Sequence, residues 1–271
     1  MSNDLSTSAV TLVAGLVVMA AFMLWCLRIA ISQRKLTVVD TAWGLGFVLI
    51  ALASAIVAIG GDGAPGLRWI LLTLVALWGC RLAWHLHTRN AKVPEDPRYA
   101  DLAKRSTGSF GQIALRRVFL PQGISMWLVA TPVMVGVNNR EILWWSAGPG
   151  IAVWAVGLFF EAIGDRQLAQ FKKTLSNEDG ANKDKIMDQG LWRYTRHPNY
   201  FGDACVWWGI WLVAASSWAG FATIIGPIAM TFFLTRVTGA ALNEQGMKQS
   251  KPGYDEYVRK TSGFIPLSPK K

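Results

Sequence analysis

Seven stretches of this sequence have the length and apolar character that a helix needs to cross the hydrocarbon core of a bilayer, which takes about 20 residues. They cover residues 9–32, 40–60, 67–87, 113–137, 142–164, 200–216 and 221–241. The fourth is the weakest, because Arg116 and Arg117 stand near its start. The last two are divided by a short turn near 217–220 and read as a helical hairpin. The first is too long for the core of a secretion signal and has no basic residue ahead of it, so it reads as a retained anchor. The pattern predicts an all-α, polytopic membrane bundle of about seven transmembrane helices.

Charge collects between the runs. Arg34 and Lys35 follow the first; Arg89, Lys92, Arg98, Lys104 and Arg105 follow the third. Arg166, Lys172, Lys173, Lys183, Lys185, Arg193 and Arg196 follow the fifth, and Lys248, Lys251, Arg259, Lys260, Lys270 and Lys271 follow the seventh. The remaining loops hold Arg68 and Arg140. Basic loops mark the cytoplasmic side, so the N-terminus is placed outside and the C-terminus in the cytoplasm. The composition agrees: 16% of residues are charged, against about 25% in soluble domains. The net charge of +10 follows from the same bias and does not indicate nucleic acid, since no basic patch lies outside the loops. Cys26, Cys80 and Cys205 all sit in apolar runs without metal-type spacing, which argues against a disulfide framework or a zinc site. Residues 1–271 read as one integral membrane domain, with no internal repeat.

Ionisable groups inside spans are costly and default to functional candidates. Asp40 opens the second run and serves either as a helix N-cap or as a site residue. Arg81, His85 and Arg89 share one face at the inner end of the third run, as a functional stripe or as cations reaching for the interface. Glu161 and Asp165 are likewise four residues apart, as site residues or as part of an ion-pair cluster with the bases that follow. The densest stretch is Gly190-Leu191-Trp192-Arg193-Tyr194-Thr195-Arg196-His197-Pro198-Asn199-Tyr200-Phe201-Gly202-Asp203, preceded by a polar linker over 177–189. Pro198 disfavours helix at His197, which puts His197 just ahead of the sixth span and Asp203 in its first turns. Arginines, a histidine, an asparagine, tyrosines and an acid then converge on a helix start, where anions are attracted. An anionic cofactor is the reading. Arg236 is the sole basic residue of the seventh run, with Asn243 and Glu244 just beyond it, and the aromatic and charged tail over 253–266 is placed to close over the same face or to lie on the surface. Neither a G-x-G-x-x-G turn between strand and helix nor a P-loop is present, so any nucleotide is held by the bundle itself.

The stretch from Gly190 to Asp203 resembles the C-terminal signature of steroid 5-alpha-reductase-like membrane proteins, in particular a bacterial branch of mostly unassigned substrate. Val39-Asp40-Thr41-Ala42-Trp43-Gly44, Trp78-Gly79-Cys80-Arg81-Leu82-Ala83, Glu95-Asp96-Pro97-Arg98-Tyr99 and Phe264-Ile265-Pro266 resemble it too. The resemblance implies a seven-helix bundle that holds NADPH, mostly within about 142–271, and reduces a C=C bond conjugated to a ketone. Asp165, Lys172, Arg193, Tyr194, Asn199, Tyr200 and Asp203 then match cofactor-side positions, and Arg196, His197, Arg236 and Asn243 join them. The family's steroid enzymes open span two with a Gln-Glu pair, of which Asp40 keeps the acid. They carry a Tyr near the inner end of span three, where this chain offers His85. Asp40 and His85 are therefore the catalytic candidates, with no metal. The implied partners are a lipophilic small-molecule substrate and membrane lipid, and the implied place is a bacterial inner membrane with the active face cytoplasmic. The competing reading is an S-adenosylmethionine-dependent membrane methyltransferase of the isoprenylcysteine or phospholipid class, which shares an Arg-His-Pro-x-Tyr-x-Gly stretch and a late acid like Glu244. Against it, Glu244 is followed by Gln245 rather than a second Glu, and Lys172, Lys173 and Arg193 suit a 2′-phosphate.

Overall fold

The computed structural model describes residues 2–91, 95–177, 184–237 and 239–270. Lys92, Lys183 and Lys271 of the basic loops, and residues 178–183 of the polar linker, lie outside the described residues. Among the described residues every named element is a helix, and β pairing is limited to an isolated parallel bridge between Thr195 and Ser262.

Helix α1 (Ser2–Gln33) stops where Arg34 turns left-handed at φ 54° and the Lys35 amide donates back to the Ala30 carbonyl at 3.0 Å. A short turn leads into α2 (Val38–Val57), and Pro65, fixed at a helical φ, opens α3 (Pro65–Asn90). Helices α2 and α3 cross where two glycines meet. A Cβ on Gly44 would stand 2.3 Å from the Gly79 carbonyl oxygen, and one on Gly79 2.6 Å from that of Gly44. Such small-residue contacts let membrane helices approach closely. Asp96 caps the short α4 (Pro97–Arg105) by accepting the Arg98 amide at 2.9 Å.

Among the described residues five helical segments are long and apolar enough to cross a membrane: Ser6–Gln33, Val38–Gly60, Pro65–Asn90, Trp144–Ser176 and Trp218–Val237. The expected fourth segment is not one uninterrupted rod. It runs as α5 (Phe110–Ile113), a π-helical stretch (Ala114–Phe119), α6 (Leu120–Val129) and α7 (Thr131–Gly136), with Pro121 and Pro132 at the starts of the last two. Each proline removes a backbone donor, and the ladder restarts. Helix α8 (Trp144–Asn177) has 34 residues, or about 51 Å of length against about 30 Å of hydrocarbon, so its last turns extend past the core. The expected sixth segment is α9 (Pro198–Ala214), whose 17 residues measure about 26 Å. After it come α10 (Trp218–Ala222), α11 (Ile225–Phe232) with a π-helical end (Phe233–Val237), α12 (Ala240–Ser250) and α13 (Tyr254–Lys260).

The chain forms two compact units, residues 1–150 with 210–226 and residues 151–209 with 227–271. In the first, Phe47 and Trp78 pack edge to face inside the α1–α2–α3 group, with ring centroids 5.4 Å apart. Two of its buried polar side chains, Asn138 and Asn139, find partners inside the low-dielectric interior. The Asn138 amide donates to Thr11 Oγ1 at 3.0 Å, and the Asn139 amide to the Ala214 carbonyl at 2.7 Å. In the second, α8 and α9 meet at Gly157 and Gly202; a Cβ on Gly202 would stand 2.5 Å from the Glu161 amide nitrogen and from the Gly157 carbonyl oxygen. Trp25, Trp69, Trp84, Trp144, Trp145 and Trp218 are exposed, as belt residues facing lipid headgroups are. The chain is an integral membrane protein by these long apolar helices.

Candidate functional site

In the second unit the dense polar stretch folds as its local chemistry requires. Gly190, left-handed at φ 58°, starts a 3₁₀ turn (Gly190–Arg193), and Pro198 starts α9. The residues between are fastened by the tail. The Arg196 amide donates to the Ser262 carbonyl at 2.9 Å, Thr195 Oγ1 to the Phe264 carbonyl at 2.8 Å, and the Leu267 amide to the Tyr194 carbonyl at 3.0 Å. The Tyr257 hydroxyl donates to the Trp192 carbonyl at 2.5 Å.

On this base one connected network forms. Arg196 donates through Nε to Glu244 Oε1 at 2.9 Å and through its terminal nitrogens to the same oxygen at 2.9 Å and to the Thr261 carbonyl at 2.7 Å. His197, buried, places Nε2 3.0 Å from Glu244 Oε1 and stacks on the Tyr200 ring at 5.4 Å. The Asn243 amide donates to the Tyr200 hydroxyl at 2.8 Å, and the Asn199 amide to Asp165 Oδ1 at 3.0 Å. The His197 hydrogen bond lowers the Glu244 carboxyl most, burial opposes it, and the Arg196 guanidinium adds to the lowering; the result is about 2. Asp203 is buried one turn past Asn199 on the same face of α9.

Asp165, Arg196, His197, Asn199, Tyr200 and Asn243 are thus brought together. Lys172 lies exposed two turns beyond Asp165 on the same face of α8, and the Arg193, Tyr194 and Arg236 side chains are exposed too. A cleft of about 730 Å³ flanks the far end of α8, lined among others by Gln167, Phe171, Lys185 and Gly190. Glu244, which the sequence marks as a late acid beyond Arg236 without naming its partners, is the hub of the network.

Asp40 and His85 belong to the first unit. Thr37 holds the N-cap position of α2, so Asp40 stands in the first turn rather than capping it. Its Oδ1 accepts the Tyr99 hydroxyl at 2.7 Å, and the Arg89 guanidinium lies 3.7 Å from Oδ2. The Gln122 amide reaches the Tyr99 hydroxyl at 3.3 Å. Burial holds the Tyr99 hydroxyl well above its ordinary value, and the Asp40 charge pushes it further, so Tyr99 keeps its proton. His85 is half-buried one turn before Arg89. A tyrosine hydroxyl thus reaches Asp40 from α4. The Glu95–Tyr99 run carried that signal in its sequence, but nothing in it named Asp40 as the target. Among the described residues no group of three or more His, Cys, Asp or Glu side chains is placed to hold a metal ion.

Three comparisons with known proteins bear on these arrangements. The family model described as "Protein of unknown function (DUF1295)" matches residues 24–261. A steroid 5-alpha-reductase DET2 of Gossypium hirsutum is 35% identical over 84 residues, 31% of this chain and 30% of the relative. The protein of the same name from Arabidopsis thaliana is 36% identical over 78 residues, 28% of this chain and 27% of the relative. The matched part is thus less than a third of the length of these curated relatives. No solved structure matches the chain.

Proposed function

The chain belongs to the DUF1295 family and is steroid 5-alpha-reductase-like, and on that footing we propose that it is an NADPH-dependent membrane reductase of a conjugated C=C bond in a lipophilic enone or steroid-like substrate. Seven spans hold it in a bacterial inner membrane, with the basic loops and the active face toward the cytoplasm. The observation that carries the reading is the network on α9: a partly buried, pre-paired set of polar groups at a helix start, fringed by exposed cations.

When bound, NADPH supplies the hydride that adds to the β-carbon. Lys172, Arg193 and Arg236 offer exposed positive charge for its phosphates. Asn199, oriented by Asp165, and Tyr200, held by Asn243, present hydrogen-bonding groups whose positions are already paid for in folding. Asp203 anchors the same face of α9. Arg196 and His197 are engaged by Glu244 and act here as the frame of the site. On the substrate side, Tyr99 keeps a proton to donate toward the carbonyl oxygen, and Asp40 orients that hydroxyl. A donor fixed where enolate charge develops stabilises the transition state; solvent then supplies the proton that adds at the α-carbon.

Titration of the detergent-purified protein with NADPH and with S-adenosylmethionine tests the proposal. Micromolar binding of NADPH alone supports it, with Arg193→Ala weakening that binding. Binding of S-adenosylmethionine alone replaces reduction by methyl transfer, and binding of neither removes the enzymatic reading.

A further inference from the structure

The N-terminus of α2 has no cap from its own sequence, since the Thr37 side chain makes no capping bond. A carboxylate 58 residues further along the chain does the work instead. Glu95 Oε2 accepts the Leu36 amide, and Oε1 accepts the Thr37 amide at 3.0 Å and the Thr37 hydroxyl. Leu36 and Thr37 are 1% and 2% exposed, so the donor side of these bonds is shielded from water, while Glu95 is half-buried. The carbonyls of the same two residues accept the Val39 and Asp40 amides, both at 3.1 Å. The backbone of Asp40 is thereby tied through one peptide to the Glu95 carboxylate. Negative charge at this helix end also suits the α2 dipole.

The same carboxylate stands at the head of the segment that carries Tyr99. The Asp96 amide donates to Glu95 Oε1 at 3.1 Å and to Thr37 Oγ1 at 3.2 Å, and the Asp96 carbonyl accepts the Tyr99 amide at 3.0 Å. Both partners of the 2.7 Å Tyr99–Asp40 bond are therefore referenced to one fixed group, each through a short chain of hydrogen bonds. We propose that Glu95 is the positioning residue of the Asp40–Tyr99 pair: it holds the first turn of α2 and the start of α4 in the register that brings the tyrosine hydroxyl onto the carboxylate. This rests on the reductase reading for its consequence in turnover, and on geometry alone for its consequence at Tyr99. Glutamine in place of Glu95 keeps one acceptor and sets an amide donor against a backbone N–H, so it breaks the clamp while preserving shape.

Two readouts separate the proposal from a role in stability alone. Tyrosinate absorbance during alkaline titration, with Tyr99→Phe subtracted, isolates Tyr99; in Glu95→Gln it ionises at least one pH unit lower than in the wild type. With an enone substrate, Glu95→Gln lowers kcat at least tenfold, toward the level of Asp40→Asn, and leaves the NADPH Kd within twofold. Thr37→Val, which removes the hydroxyl bond alone, moves both readouts partway and decides the matter if Glu95→Gln does not fold. An unchanged Tyr99 titration, or a lower melting point with kcat per folded molecule intact, overturns the proposal. A wild type that reduces no enone sinks the reductase reading instead, and the Tyr99 titration still decides the role of Glu95.

Discussion

Glu244→Gln is the sharpest probe of the network on α9. The carboxylate takes two contacts from Arg196 and one from His197, all within 3.0 Å, and the Arg196 side chain is only 12% exposed. Hydrogen bonds to charged groups contribute about 1.5–3 kcal/mol each. Glutamine retains an acceptor oxygen but removes the counter-charge of a nearly buried guanidinium, so a net loss of about 2 kcal/mol is expected. For a chain of this size that lowers the thermal midpoint by roughly 4–8 °C. The pH dependence has a definite sign. Folding holds the Glu244 carboxyl at about 2, below its ordinary 4.5. Its contribution is therefore complete above pH 4.5 and is lost as pH falls toward 2. Thermal unfolding of wild type and variant in detergent, at pH 7 and pH 3, measures this directly. The gap between the two proteins is wide at pH 7 and narrower, by roughly half, at about pH 3. An equal gap at both pH values, or none at pH 7, refutes the argument that the ionised carboxylate holds these groups together.

Two further outcomes follow from the same geometry. Asp203→Ala weakens NADPH binding at least tenfold in the titration described above, and unchanged affinity takes Asp203 out of the cofactor site. Gly202→Ala places a Cβ 2.5 Å from backbone atoms of α8, an overpacking that costs about 1–3 kcal/mol; thermal unfolding registers it as a lower midpoint, and an unchanged midpoint contradicts the close α8–α9 contact.

The long apolar helices are legible in the sequence because each is a continuous run, and runs need no partner to be recognised. The interruptions are less so. Beyond Arg116 and Arg117 residues 118–137 read as one largely apolar run, while the backbone ladder over 113–137 is broken by a π-helical stretch and by Pro132; apolar content and helical continuity are separate properties. The site behaves similarly. Pro198 announces the start of α9 locally, so the gathering of His197, Asn199, Tyr200 and Asp203 near that start could be anticipated. The partners could not. Glu244 lies 48 residues from Arg196, and Tyr99 lies 59 residues from Asp40. Tertiary folding alone creates those pairings, and no local pattern encodes them.

The tail that fastens Tyr194, Thr195 and Arg196 comes from residues 257–267, which leave the ribosome after every apolar segment of the chain. Chains fold as they are made, N-terminal parts first. The helices can therefore enter the bilayer and pair while the lead-in to α9 still lacks its fasteners, and the bonds from Tyr194, Thr195 and Arg196 to the tail form only as residues 257–267 dock. Membrane insertion and fastening of the polar site are in this way successive events, and a chain that ends before residue 257 would lack the fasteners that hold the lead-in to α9.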